Sequence, residues 1–522
     1  MAHGQKFARD ASRDCIKTEN IGYENMKITA VTHKEAAQKE NIFVALMTHH
    51  PVHQQEFFSY ISEKHRLILK KFADENFRGE EGEIKSLWIE KGMPRRIVLF
   101  GLGDIKKWNE RKNPLVPRRL IQYAKKEKIK ELALFFPKDI ARDMKDTCRM
   151  IAENALMADF VFDKYNKEKQ KNNVSIDAIY LASDTGLHNV CTKAITQGMI
   201  IGEETNQCRA LANTPGGDMT PALLAREAMQ TARRTGMKAF VFDEKKMKQL
   251  GMGAILGVGK GSVEKPRFII LEYLKGPKIQ KPLILVGKGV TFDTGGLNLK
   301  PDQYIYEMHM DMTGGAAVIH GMAAIARLKL SVNIVGLVPA VENMPSGSSY
   351  RPGDQLKSMS GKTIEILNTD AEGRVILADA LTYGLRYKPE IMIDIATLTG
   401  AAHVALGNYC SAIFSNDEKL QNNLIEIGKT SGDYLWPLPL WDEFLPEIKG
   451  TFGDLANTGV KDRYGGASHG AKFLEQFAGN TRFAHLDISP RMTANDSEFL
   501  SKGASGLGVR LIAELGARYP YI

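Results

Sequence analysis

The stretch "NTDAEGR", Asn368 to Arg374, places carboxylates at 370 and 372 and a guanidinium at 374. In an extended segment, residues at i, i+2 and i+4 point the same way and would make a three-charge site. In a helix, Asp370 and Arg374 share a face while Glu372 turns away. A plainer arrangement is also open: Asp370 caps the following helix, Glu372 occupies its first turn, and Arg374 is solvated. Two further stretches set charges beside apolar runs. "LILVGKGVTFDTGGLNLKP" carries Lys288, Asp293 and Lys300, and "MHMDMTGGAA" carries Asp311.

Charges drawn against a core need partners. Four carboxylates (Asp293, Asp311, Asp370, Glu372) converging on one crevice would repel, and one or two divalent cations would resolve the repulsion. Histidine offers little alternative. There is no HExxH, and the cluster His49, His50 and His53 is interrupted by Pro51, which reads as a surface loop. A metal site here is therefore mainly oxygen-ligated, a chemistry that accepts Zn, Mn, Mg or Co. Nearby dications would depress the Lys288 ammonium until its neutral amine could bind metal. The same charges are also compatible with a buried salt-bridge network that holds no metal.

The elements that must position these residues alternate between strand-like and helix-like runs, so the fold class is α/β in two domains, each a mixed or mostly parallel sheet flanked by helices. Residues 1–25 read as a polar arm and 26–185 as an accessory domain with strands in "NIFVAL", "RRIVLFGLG", "ELALFF" and "SIDAIYLA". Residues 186–212 read as one connecting helix. Residues 213–522 form the second domain, in which "FIILEYL", "PLILVGKG", "VNIVGLVPA" and "IMIDIATL" are apolar enough to be buried on both faces. Charges at the carboxyl ends of such strands lie where open α/β sheets bind ligands. The glycines of "FGLGD" and "ILGVGKGS" have the wrong spacing for nucleotide loops and read as tight turns.

The chain has 522 residues, 43% of them hydrophobic and 25% charged, an ordinary globular profile. No apolar run reaches the length of a membrane span, and the first twenty residues lack a secretory or transit pattern. Five scattered cysteines without a CxxC fit a reduced, cytoplasmic compartment. Much of the net charge of +9 comes from residues 101–150, with 14 Lys and Arg against 7 Asp and Glu. This block is a solvated helix face or, as the rival reading, a patch for DNA or another polyanion. It lacks interleaved aromatics, so nucleic acid is the weaker expectation.

"VGKGVTFDTGGLNLKP", "DMTGGAA", "ENMPSGSSYRPGD", "NTDAEGRVILADAL" and "ATLTGA" together resemble the leucine aminopeptidase (cytosol aminopeptidase) family, in the same order and spacing, strongly from Thr205 to Leu406. The resemblance implies a C-terminal catalytic domain of that type, peptide substrates, a homohexamer, and two divalent metals per subunit. It implies Lys288, Asp293, Asp311 and Glu372 as ligands of one ion and Asp293, Asp370 and Glu372 as ligands of the other. Lys300 and Arg374 correspond to the catalytic cations, Lys300 stabilising the oxyanion and Arg374 holding a bicarbonate that serves as general base. Met308, Thr397, Gly400 and Met492 correspond to the pocket for the first side chain, with Asp311 near the free α-amine.

The chain departs from the family pattern at "HLDISPRM", with Ser489, Pro490 and Arg491, and at "GGASHGAKFL", with His469 and Gly470. Ser489 is small enough to keep a Leu- or Met-sized pocket. Arg491 is expected to face solvent; turned inward it would favour acidic first residues. His469 and His485 read as packing histidines.

Overall fold

The computed structural model describes residues 26–46, 56–136, 143–459 and 464–522. The cluster of His49, His50 and His53 and the N-terminal arm lie outside them. The described residues form two compact units, divided between Thr196 and Gln197 within the single helix His188–Asn213.

In the first unit, six strands are ordered β1 (Lys27–Thr32), β6 (Ala178–Ser183), β5 (Glu131–Phe135), β2 (Asn41–Leu46), β4 (Arg96–Gly101) and β3 (Ile84–Trp88). All neighbours are parallel except β3 with β4. Strands β2 and β4 are buried almost throughout, the burial expected of parallel strands covered on both faces. Part of the basic block is tied down. Arg118 Nε donates to Asn154 Oδ1 at 2.9 Å, Lys125 pairs with Asp159 at 3.2 Å, and Lys112 with Glu81 at 2.7 Å. Gly103 takes a positive φ where the chain leaves β4 for the 3₁₀ turn Ile105–Lys107, whereas "ILGVGKGS" is not a tight turn but the end of the helix Gly253–Val258 running into the 3₁₀ turn Gly259–Gly261.

The second unit is built on a nine-stranded sheet in the order β16 (Leu435–Pro437), β15 (Ser411–Ser415), β18 (Arg482–Asp487), β14 (Ile391–Ala396), β9 (Leu283–Gly287), β11 (Asn333–Asn343), β8 (Arg267–Leu274) and β7 (Lys238–Phe242), with β10 (Gly289–Asp293) also paired to β11. The central neighbours β18, β14, β9, β11 and β10 run parallel, and antiparallel pairs lie towards both edges. One core lies on the side of helices Pro221–Thr235, Thr313–Arg327 and Val509–Arg518, and another on the side of Glu372–Gly384 and Gly466–Glu475. The sheet is thus the middle of three layers. Cys148, Cys191 and Cys208 are buried as thiols. Among the described residues, no helix is long and apolar enough to cross a membrane.

Candidate metal centre and active site

The site forms where the parallel strands end. β9 stops at Gly287, β10 begins at Gly289, and Lys288 occupies the break between them. Its N–H donates to the Ile395 carbonyl at 3.1 Å, while its carbonyl accepts from Gly315 N–H at 2.7 Å. Backbone bonds to a neighbouring strand and to a helix start therefore fix the residue, and its side chain extends into the interior. Asp293 is the last residue of β10. Asp311 closes a single 3₁₀ turn, Met308–Met310, just before the helix Thr313–Arg327.

"NTDAEGR" is neither an extended strand nor a helix capped by Asp370. The helix begins at Glu372, Ala371 occupies the cap position, and no side chain caps it. Asp370 sits in the turn before it, its own N–H bound to Asn368 Oδ1 at 2.8 Å. Turn geometry, rather than a shared strand face, brings Asp370 and Glu372 together. Arg374 is buried instead of solvated, with Nε making no hydrogen bond.

The carboxylates of Asp293, Asp370 and Glu372 offer oxygens within 4.8 Å of one another. Lys288 Nζ lies 2.9 Å from Asp311 Oδ2 and 2.8 Å from Glu372 Oε1, and donates to the Thr397 carbonyl at 2.9 Å. Lys300 Nζ lies 2.8 Å from Asp293 Oδ2 and also pairs with Asp370. All five ligand candidates and Lys300 are therefore in one cluster. Thr397 joins it by donating to Asp311 Oδ1 at 2.7 Å. Met308 is three residues from Asp311 in the same turn. Gly400 starts the helix Gly400–Leu406 with open space where a Cβ would stand. Met492 is partly buried against the core that includes Met310.

Burial by itself would lower the Lys288 ammonium, but Asp311, Glu372 and Asp293 outweigh it and hold it above its ordinary range. Lys300 is raised in the same way, against burial, by Asp293, Glu372 and Asp370. Asp311 is pushed up to about 8, chiefly by burial, with Glu372 and Asp293 adding to it against the pull of Lys288. Asp370 rises to about 6 through burial and the charges of Asp293 and Glu372. Burial brings Arg374 down to about 10, opposed by Glu372 and Asp487.

Asp311 Oδ2, Asp370 Oδ1 and Glu372 Oε1 are buried, and the partners that face them are the ammonium groups of Lys288 and Lys300. Buried oxygens with spare lone pairs, converging from several carboxylates, are the donor set a hard divalent cation takes. The residues fit such an ion. Close packing supports the cluster at Gly373, where a Cβ would lie 2.6 Å from Lys288 Cε. Gly295 contributes as well: its φ of +85° suits glycine, and its N–H donates to Asp293 Oδ1 at 2.8 Å.

The altered C-terminal stretch is equally well bonded. Ser489 Oγ donates to Asp487 Oδ1 at 2.7 Å and accepts from Thr399 N–H at 3.1 Å. Asp487 also takes the Thr399 hydroxyl at 2.6 Å, so it organises the loop that follows β14. Arg491 does not face solvent. It is buried, held by Glu498 at 2.5 Å and by the Asn408 carbonyl at 2.7 Å. The expectation of a solvent-facing arginine fails because a carboxylate seven residues on folds back to meet it. His485 is fully buried, 2.7 Å from Asp394 and stacked on Phe414, and His469 pairs with Glu447 at 2.5 Å. Both serve packing and pairing. Asp487 and Asn343, which bind the site loops, were not singled out from sequence. Their signal was position alone, each being the last residue of a buried strand.

A sequence profile described as "Cytosol aminopeptidase family, catalytic domain" matches residues 206–513, and one described as "Cytosol aminopeptidase family, N-terminal domain" matches residues 30–169. The chain is 41% identical over 447 residues to a probable cytosol aminopeptidase of Syntrophotalea carbinolica, covering 84% of this chain and 89% of the relative. It is 40% identical to a probable cytosol aminopeptidase of Aquifex aeolicus, covering 85% and 89%. Among solved structures, it is similar to bottromycin maturation enzyme BotP in complex with Mn, with TM-score 0.79, 27% identity, and 92% and 99% of the two chains covered. With both profiles matching in order and relatives near 40% identity over most of the chain, this protein is an exopeptidase hydrolase belonging to the cytosol aminopeptidase family.

Proposed function

We propose that the protein is a two-metal aminopeptidase that releases Leu- and Met-like residues from peptides with a free amino terminus. The observation that carries this reading is the convergence of carboxylate oxygens from Asp293, Asp370 and Glu372, with Asp311 joined to them through Lys288 and with lysine ammonium groups as their counter-charges. Lys288, Asp293, Asp311 and Glu372 would hold one divalent ion, and Asp293, Asp370 and Glu372 the other. Zn or Mn is the expected metal, with Mg or Co suited to the same donors. When bound, the ions supply Lewis acidity and a water acidified enough to attack at neutral pH.

The chain's own residues do the rest. Lys300, a retained cation at the cluster, stabilises the negative charge that grows on the scissile carbonyl oxygen. Arg374 anchors a bicarbonate near the start of the helix Glu372–Gly384, where backbone N–H groups lack helical partners and favour an anion. A bicarbonate held by Arg374 would supply a general base beside the cluster. Met308, Thr397, Gly400 and Met492 line the first side-chain pocket, and Asp311 faces the α-amine. Arg491 is already paired with Glu498, which supports an apolar rather than acidic preference. Residues 26–185 serve as an accessory domain and 213–522 as the peptidase, working as a cytoplasmic homohexamer. The paired state of Arg118, Lys125 and Lys112 weighs against the polyanion alternative.

Metal analysis combined with leucine-amide hydrolysis before and after chelation tests the proposal. Activity should vanish on chelation and return with Mn, Co or Zn, and N-acetylated peptides should not be cut. Full activity in a metal-free preparation, or internal cleavage of a blocked peptide, would end it.

A further inference from the structure

We propose that Asn343 is a positioning residue of the metal centre, fixing the Asp293 carboxylate against the loop that carries Asp370 and Glu372. The inference rests on the two-metal reading above.

Asn343 is the last residue of β11 and, in the parallel pairing of β10 with β11, stands opposite Asp293. It is fully buried. Its amide nitrogen donates to Asp293 Oδ1 at 2.8 Å and to the Thr369 carbonyl at 2.9 Å. Both partners are pure acceptors, so only one orientation of the amide satisfies them. The Asn343 carbonyl in turn accepts from Thr294 N–H at 3.1 Å and from its hydroxyl at 2.8 Å. Backbone and side chain thus hold the same segment, the exit of β10.

The consequence for Asp293 is specific. Oδ1 receives two donors, Asn343 Nδ2 and Gly295 N–H, while Oδ2 points to Lys300. With Oδ1 tethered, the carboxylate cannot rotate freely, and Oδ2 is kept on the side of the cluster. The second amide hydrogen reaches Thr369, immediately before Asp370. One side chain therefore links the two segments that supply Asp293, Asp370 and Glu372, and so sets the spacing between their oxygens. Asn343 Oδ1 makes no hydrogen bond, and a Cβ on Gly296 would fall 2.8 Å from it. A buried acceptor left unpaired is unfavourable, which is consistent with an asparagine placed here for its two donors. Partners of this kind, which orient metal-ligating groups, typically govern affinity by about 10–100-fold.

The test titrates metal-stripped protein with Mn by calorimetry and follows Tm with and without Mn. Asn343→Ala removes the link. Asn343→Asp keeps the shape but sets a carboxylate against Asp293, and serves if the alanine variant does not fold. Tyr350→Phe is the comparison: it deletes the other side-chain donor to the Thr369 carbonyl, at 2.7 Å, and leaves Asp293 untouched. Wild type should bind two Mn. Either Asn343 variant should bind at least one of them about tenfold or more weakly, with a smaller Mn-induced rise in Tm, whereas Tyr350→Phe should bind as wild type. Unchanged affinities in both Asn343 variants overturn the inference, as does an equal loss in Tyr350→Phe, which would mean general loosening of the loop. A wild-type protein that binds no Mn overturns the two-metal reading, and this inference with it.

Discussion

Lys288 crosses directly over Gly373: a Cβ on 373 would lie 2.6 Å from Lys288 Cε and 2.7 Å from Nζ. Glycine inside a helix ordinarily costs about 1 kcal/mol against alanine, and here it gives the lysine its path to Asp311 and Glu372. Gly373→Ala restores helix propensity but overpacks the site, a cost of about 1–3 kcal/mol. Thermal stability should therefore fall by only about 0–2 kcal/mol, while leucine-amide hydrolysis falls by about a hundredfold or more. Melting curves beside kcat/KM check the split; a variant with wild-type activity would show that the lysine can move aside.

Lys300 pairs with two of the proposed ligands without being one. Lys300→Ala should keep both metals and lower kcat by about 10²–10³, the usual loss when one oxyanion donor is removed. Metal content and kcat measured on the same sample decide it. Loss of metal in step with activity would assign Lys300 to ion binding instead.

Arg491 and Glu498 form a nearly buried bidentate pair. Arg491→Ala should leave Glu498 uncompensated and destabilise the fold by about 3 kcal/mol. Leucine and methionine amides should remain far better substrates than aspartate or glutamate derivatives in both wild type and variant. A wild-type preference for acidic residues that disappears in Arg491→Ala would reverse this assignment.

Asp379 is fully buried and accepts from the N–H groups of Ala254, Ile255 and Met359. Burial outweighs these bonds and pushes its carboxyl up from 3.8 to about 7. The folded state thus holds a proton there that the unfolded chain releases at lower pH. The favourable contribution from that proton is greatest at acid pH and is lost as pH rises from about 4 through about 7. Asp379→Asn, which cannot titrate, should make denaturant stability flatter across this range while costing about 1–3 kcal/mol, because its amide cannot serve all three donors. Equal pH slopes in wild type and variant would contradict the assignment.

Much of the second unit was legible because parallel strands covered on both faces are nearly continuous apolar runs, as in β8, β9, β11 and β14. The charged residues at their ends were legible for the same reason, since charge beside such runs demands an explanation. Short edge strands such as β3 and β7, half-exposed and mixed in composition, were not. Nor was the start of the helix at Glu372: the local spacing suited an extended or a capped segment, and contacts from Lys288 and Lys300, distant in sequence, fix the turn. Arg491 was misjudged because its partners come from a turn seven residues on and from the carbonyl of Asn408, neither of which leaves a pattern around "ISPRM".

Lys288 and Lys300 also bear on the order of events as the protein is made. Two built-in ammonium groups already stand against the four acidic side chains, so part of their charge is answered from within the polypeptide. Small zinc domains, by contrast, stay unfolded until their ion arrives. Here the strand ends can close around their own counter-ions first, and under the two-metal proposal acquisition of metal would be a late exchange within a finished scaffold. Supply of metal would then limit how many molecules are active, rather than how many survive folding.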